Sequence, residues 1–176
     1  MTDKGMTDRA QQGGRAWIFG DEIDTDVLAP GIYMKGSMEE MATHCLETVD
    51  PAFAPGVQAG DVIVAGANFG IGSSREQAAQ ALTILGIGAV VAKSYGGIFY
   101  RNALNFGLLA VVCEADISAS AGDHLVVDGE AGKITNQTTG DVWDCDPVPP
   151  HLLEMISAGG LVPWLEQRLA AERAAN

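Results

Sequence analysis

The sequence predicts an α/β fold class, and three observations carry that prediction. Short apolar runs at Val62–Ala65, Ala89–Ala92 and 108–113 have the length and composition of strands buried on both faces, as in a parallel sheet. Helical patterns lie between them: Ala78, Ala81, Leu82 and Leu85 recur at i, i+3, i+4 and i+7, and residues 98–106 form a second helical stretch ended by Gly107. The chain has 176 residues, 47% hydrophobic and 19% charged, which is enough to build one sizeable core without disulfides or metal.

Taken in order, residues 1–14 are polar and read as a flexible tail, with one domain over 15–176. Residues 15–19 read as a strand ended by Gly20-Asp21. An acidic, turn-prone stretch follows, running on to Pro30-Gly31. Ser37 is an N-cap for a helix over 38–45, with Glu39 and Glu40 in the favourable first turn. Residues 50–60, rich in Pro, Ala and Gly, read as a connecting loop. After strand 62–65 and Gly-rich residues 66–72, the pattern predicts a helix over 73–85, stopped by Gly86 and Gly88. Residues 123–127, 133–135 and 142–144 read as short strands between Gly turns. Two C-terminal helices over 152–158 and 161–174 flank Gly159-Gly160, with Pro163 in the first turn of the second.

Charge and cysteine usage exclude several classes. Ten basic residues against 23 acidic give a net charge of −13, which repels a phosphate backbone and makes any anion site a local, preorganised one. The cysteines, Cys45, Cys113 and Cys145, lack metal-ligand or disulfide spacing and read as small apolar residues of a reduced, cytoplasmic protein. The apolar runs are too short to cross a bilayer, and no signal-peptide pattern opens the chain. His44, His124 and His151 have no motif around them and read as surface or satisfied histidines.

The chemistry points to residues 68–77. Here a strand feeds a Gly-rich loop and the loop feeds a helix, with Ser73, Ser74 and Arg75 at the junction. Helix-end N–H groups and a bidentate arginine suit a carboxylate. The same residues also fit a plain capping box, with Ser73 and Glu76 satisfying each other's backbone N–H groups, and pattern alone does not choose. A P-loop, a GxGxxG fingerprint and a GxSxG elbow are all unmatched. Asp21, Asp24 and Asp26 suit Asx turns or a weak Ca²⁺ loop, but the EF-hand pattern is missing.

Three segments together resemble a family. Gly20-Asp21-Glu22-Ile23-Asp24-Thr25-Asp26 with Pro30 and Tyr33, then Asn68-Phe69-Gly70-Ile71-Gly72-Ser73-Ser74-Arg75-Glu76, then Ile98-Phe99-Tyr100-Arg101-Asn102-Ala103, resemble the small subunits of 3-isopropylmalate dehydratase in order and spacing. The resemblance spans roughly residues 15–165. It implies the swivelling β/β/α domain of the aconitase superfamily and a hydro-lyase that isomerises a 2-hydroxy di- or tricarboxylate through an alkene. It further implies a large partner subunit carrying a [4Fe-4S] cluster, whose open iron polarises the leaving hydroxyl, and no cofactor bound by this chain.

By the same resemblance Ser73 is the base that removes the proton α to a carboxylate. Ser74 and Arg75 hold a substrate carboxylate, and Asp26 faces the large subunit, where it can orient a histidine. Tyr33 and Lys35 belong to the stretch that distinguishes substrates. A lysine at 35 suits an anionic substituent over an isopropyl group, or else turns to solvent. Arg101 lies in the third segment, where packing or an ion pair explains it equally well. Departures occur at Ile71, where many relatives have Cys, and at Gln77, where many have His and homoaconitase-like members can have Gln. The expected enzyme is a leucine-biosynthesis dehydratase small subunit working as a heterodimer. A homoaconitase-like or other substituted-malate dehydratase, or a non-catalytic carboxylate-binding module, are the alternatives.

Overall fold

The computed structural model describes residues 13–175, and among them seven strands form one sheet in the order β4-β3-β2-β1-β5-β6-β7. Strands β1 (Gly14–Ile18), β2 (Val62–Ala65), β3 (Ala89–Ala92) and β4 (Leu109–Val112) are parallel, with Ala16 opposite Val62, Val62 opposite Ala89 and Ala89 opposite Leu109. Strands β5 (His124–Asp128), β6 (Lys133–Asn136) and β7 (Val142–Asp144) continue the sheet antiparallel from β1. The helices are α1 (Thr25–Leu28), α2 (Met38–Thr43), α3 (Phe53–Gly56), α4 (Gln77–Leu85), α5 (Gly97–Asn105), α6 (Pro150–Ser157) and α7 (Leu161–Ala174).

The period of two along a strand divides the core into two faces. Ile63, Ala65, Val90, Ala92 and Ala110 join Leu28, Met41, Leu82 and Phe99 from the helices on one side. Val62, Val64, Val91, Leu109 and Val111 meet Leu125, Val127, Ile134 and Ile156 on the other. All residues of β2 and β3 are buried, which is why both read as unbroken apolar runs. The edges of the sheet also meet. Beyond β7 the Asp146 N–H donates to Val112 C=O of β4 at 2.9 Å, and the Cys113 thiol donates to Asp144 C=O at 3.5 Å. Neither edge is therefore left bare at that point.

Several expected boundaries shift. Residues 1–12 of the expected tail lie outside the described residues, while Gly14 already belongs to β1 and pairs with Leu125. The loop at 50–60 contains the single turn α3, whose Phe53 is buried against Trp17 and Phe19. Helix α4 begins at Gln77 rather than Ser73, and its N-cap residue Glu76 makes no side-chain cap bond. The capping box of Ser73 and Glu76 is thus not formed, because Ser73 is engaged by a residue far away in sequence. By contrast, Ser37 caps α2 as expected, accepting from the Glu40 N–H at 3.1 Å.

Candidate active site

Because β1 and β2 are parallel neighbours, the loops leaving their carboxyl ends lie side by side. Backbone bonds zip the two loops together. Gly66 N–H donates to Gly20 C=O, Glu22 N–H to Ala67 C=O, Gly70 N–H to Ile23 C=O and Thr25 N–H to Ile71 C=O, at 2.6–3.0 Å. The Asp21 carboxylate adds a further tie by accepting from the Ala67 N–H at 2.7 Å. Asp24 caps α1, accepting from the N–H groups of Asp26 and Val27. Asp21 thus ties the loops and Asp24 caps a helix, and among the described residues no three His, Cys, Asp or Glu side chains converge as metal ligands.

At the centre stands Thr25, a buried residue of the first family-like segment to which the sequence pattern gives no role. Its Oγ1 lies 3.2 Å from Ser73 Oγ and accepts from the Ser73 N–H at 3.1 Å. Ser73 itself is exposed, as is Ser74 beside it. The close approach requires glycine at 72: its φ is +115°, and a Cβ there would lie 2.8 Å from Thr25 Oγ1. Gly70, at φ +76°, has Phe99 where its Cβ would be. Ser73 is thus held from the neighbouring loop and not by the end of α4. Ser73 precedes α4 by four residues, and its hydroxyl faces the Thr25 hydroxyl.

Arg75 reaches back across the loop pair, its Nη1 paired with Asp26 Oδ1 and donating to Ala29 C=O at 3.2 Å. Gly31 lies against the other amino group, since a Cβ there would be 3.6 Å from Nη2. Tyr33 closes a 3₁₀ turn, Gly31–Tyr33, with its ring stacked on His44 and its hydroxyl donating to Glu47. Lys35 is exposed on the tight turn that follows. The fold therefore brings Ser73, Arg75, Asp26 and the start of the Tyr33 turn together beyond the carboxyl ends of β1 and β2. Arg101 is exposed on α5.

Residues 26–116, just over half of the chain, match the aconitase C-terminal domain family. The chain belongs to that family. It is 50% identical over 152 residues to the 3-isopropylmalate dehydratase small subunit 1 of Archaeoglobus fulgidus, covering 86% of this chain and 94% of that one. The methanogen homoaconitase small subunit of Methanothermobacter thermautotrophicus is 45% identical over 150 residues, or 85% of this chain and 87% of its own length. A crystal structure of the 3-isopropylmalate dehydratase of Methanocaldococcus jannaschii superposes with a TM-score of 0.87 at 41% identity, covering 93% of this chain and 98% of that one. The mixed α/β architecture of the aconitase-type swivelling domain is thus the fold of this chain. Its match to the family starts at Asp26, so Thr25 stands one residue outside the matched segment although it holds Ser73. No helix among the described residues is long and apolar enough to cross a membrane.

Proposed function

We propose that this chain is the small subunit of a hydro-lyase that isomerises a 2-hydroxy di- or tricarboxylate by dehydration and rehydration, most directly 3-isopropylmalate in leucine biosynthesis. The observation that carries this reading is the near full-length 50% identity to a 3-isopropylmalate dehydratase small subunit. The pairing of Ser73 with Thr25 supports it chemically. Abstraction of a proton α to a carboxylate needs a base, and a serine serves only when its alkoxide is stabilised. Thr25 Oγ1 accepts from the Ser73 N–H and can direct its own proton at Ser73 Oγ, the direction that an alkoxide requires. Ser73 takes the proton, while Ser74 and Arg75 hold the adjacent carboxylate.

Among the described residues the donor set does not fit an iron–sulfur cluster: Cys45, Cys113 and Cys145 are free thiols, and no three His, Cys, Asp or Glu side chains converge as metal ligands. Small-subunit relatives support a cytoplasmic large subunit as the proposed partner and bearer of the cluster, with Asp26 turned towards it. The relative named as a homoaconitase subunit, together with the exposed Lys35, favours a carboxylate-bearing substrate as a second reading.

Co-expression with the large subunit from the same genome tests the proposal. The assembled pair should dehydrate 3-isopropylmalate, and Ser73→Ala should lower kcat by about 10³-fold while the complex still elutes as one species. Retained turnover in the Ser73→Ala complex would remove Ser73 as the base. Lys35→Val should shift preference towards the isopropyl substrate, and an unchanged substrate ratio would count against Lys35 as the discriminating group.

A further inference from the structure

The turn carrying Lys35 is poorly held by its own residues. Within it Ile32 is 81% exposed and Met34 41% exposed. Its backbone bonds are all local: Tyr33 N–H to Pro30 C=O, Met34 N–H to Gly31 C=O and Gly36 N–H to Tyr33 C=O. Tyr33 is the anchor. Its ring lies flat on the His44 imidazole, with centroids 3.6 Å apart and planes within 7°. Its hydroxyl donates to Glu47 Oε1 at 3.2 Å, while Glu47 Oε2 meets His44 Nδ1 at 2.6 Å.

Ring on ring, and both rings on one carboxylate, the three side chains close a cycle. His44 is the C-cap residue of α2, and Glu47 lies one turn further on, so this cycle fastens the turn to a helix end that is itself packed through Met41 and Ala42. The charge states suit the arrangement. The hydrogen bond from His44 holds the Glu47 carboxyl below its ordinary range, while burial and the facing Glu47 carboxylate keep the Tyr33 hydroxyl protonated. The opposite end of the turn rests near the Arg75 guanidinium at Gly31. Tyr33 thus stands between Lys35, two residues on, and Gly31, two residues back, where the turn meets Arg75.

We infer that His44 and Glu47 are positioning residues for substrate selection, fixing through Tyr33 the placement of Lys35 relative to Arg75. The inference rests on the hydro-lyase reading above, with Arg75 on the shared carboxylate and Lys35 at the substituent that differs between substrates. Neither residue touches substrate, and both act through the turn.

The test uses the enzyme assembled with its large subunit. Two substrates are compared: 3-isopropylmalate and an analogue carrying a carboxyalkyl group in place of the isopropyl group. His44→Ala should change the ratio of kcat/KM between them by about tenfold, through KM and with kcat for the better substrate little altered. His44→Phe, which can stack on Tyr33 without the hydrogen bond, should restore part of that ratio. Glu47→Gln, which keeps an acceptor for Tyr33, should lie between the native enzyme and His44→Ala.

A merely structural role lowers turnover of both substrates together and leaves the ratio and both KM values unmoved, and that result overturns the inference. Ser73→Ala measured alongside separates the two claims, because its retained activity removes the hydro-lyase role of Ser73 and not the anchor. The stack is read without turnover in the full chain: Tyr33→Leu should move the His44 ring-proton resonances by loss of the ring current. Unmoved resonances overturn the inference at its base.

Discussion

Arg75 and Asp26 form an ion pair that bridges the two loops of the site, and the arginine is the more buried partner, 26% exposed against 71% for the aspartate. Asp26 is thus accessible to a partner protein while it occupies the group best suited to hold a carboxylate. A guanidinium shared with a carboxylate of its own chain is a weaker anion site than a free one.

Asp26→Asn should consequently strengthen binding of a small dicarboxylate, such as malate, by the isolated chain. Calorimetric titration of native and variant chains measures it. An exposed pair contributes about 0.2–1 kcal/mol to stability, so the variant should remain folded. In the assembled enzyme the same substitution should lower turnover, since Asp26 is proposed to face the large subunit. Equal dicarboxylate affinity in the two isolated chains would show that the ion pair does not restrain Arg75.

Thr25 offers a sharper test of how Ser73 is prepared. Thr25→Val keeps the shape of the side chain and removes the acceptor of the Ser73 N–H together with the hydroxyl that faces Ser73 Oγ. Loss of one such bond costs about 1 kcal/mol in stability. With Ser73 as the proposed base, the effect on kcat should be far larger, about 10²-fold, because its alkoxide would lose stabilisation only in the reacting state. Thr25→Ser should retain most of the activity. Steady-state kinetics of the two assembled variants, with thermal unfolding of each, separate the catalytic effect from the structural one.

That residue also marks where sequence reading stops. Strands β2, β3 and β4 are legible because a strand buried on both faces must be apolar throughout, a property written in four adjacent residues. Ser73, Ser74, Arg75, Asp26, Tyr33 and Lys35 were legible as candidates from residue type and from resemblance. The partner of Ser73 was not, because Thr25 is 48 residues away and no local spacing announces it. For the same reason the sequence pattern starts α4 four residues early. Residues 73–76 satisfy the local pattern of a cap, and the tertiary bond to Thr25 overrides it. The meeting of Asp146 with Val112, which joins the two sheet edges, likewise has no signature in either segment.

Asp61 is a buried carboxylate whose role is to hold the base of the site's sheet. Its side chain accepts from the Arg15 and Gln58 N–H groups at 3.0 Å and from the Trp17 indole and Arg15 guanidinium at 2.9 Å. Burial pushes its pKa up, but the donors from Gln58, Trp17 and Arg15 outweigh that and hold it below its ordinary 3.8. A carboxyl with a depressed folded pKa contributes stability that is fully present above its unfolded pKa and is lost as pH falls through the folded one. Asp61→Asn should therefore destabilise the chain by about 2 kcal/mol at neutral pH, since the charge-assisted bonds weaken and Arg15 loses its counter-ion. The gap between variant and native protein should narrow as pH falls from the ordinary value of 3.8 towards the lower folded one, where Asp61 takes up its proton. Urea unfolding at neutral pH and near pH 3 measures both values. A gap of equal size at the two pH values would mean that the Asp61 charge is not what the donors stabilise, and that packing of Trp17 and Arg15 around it carries the effect.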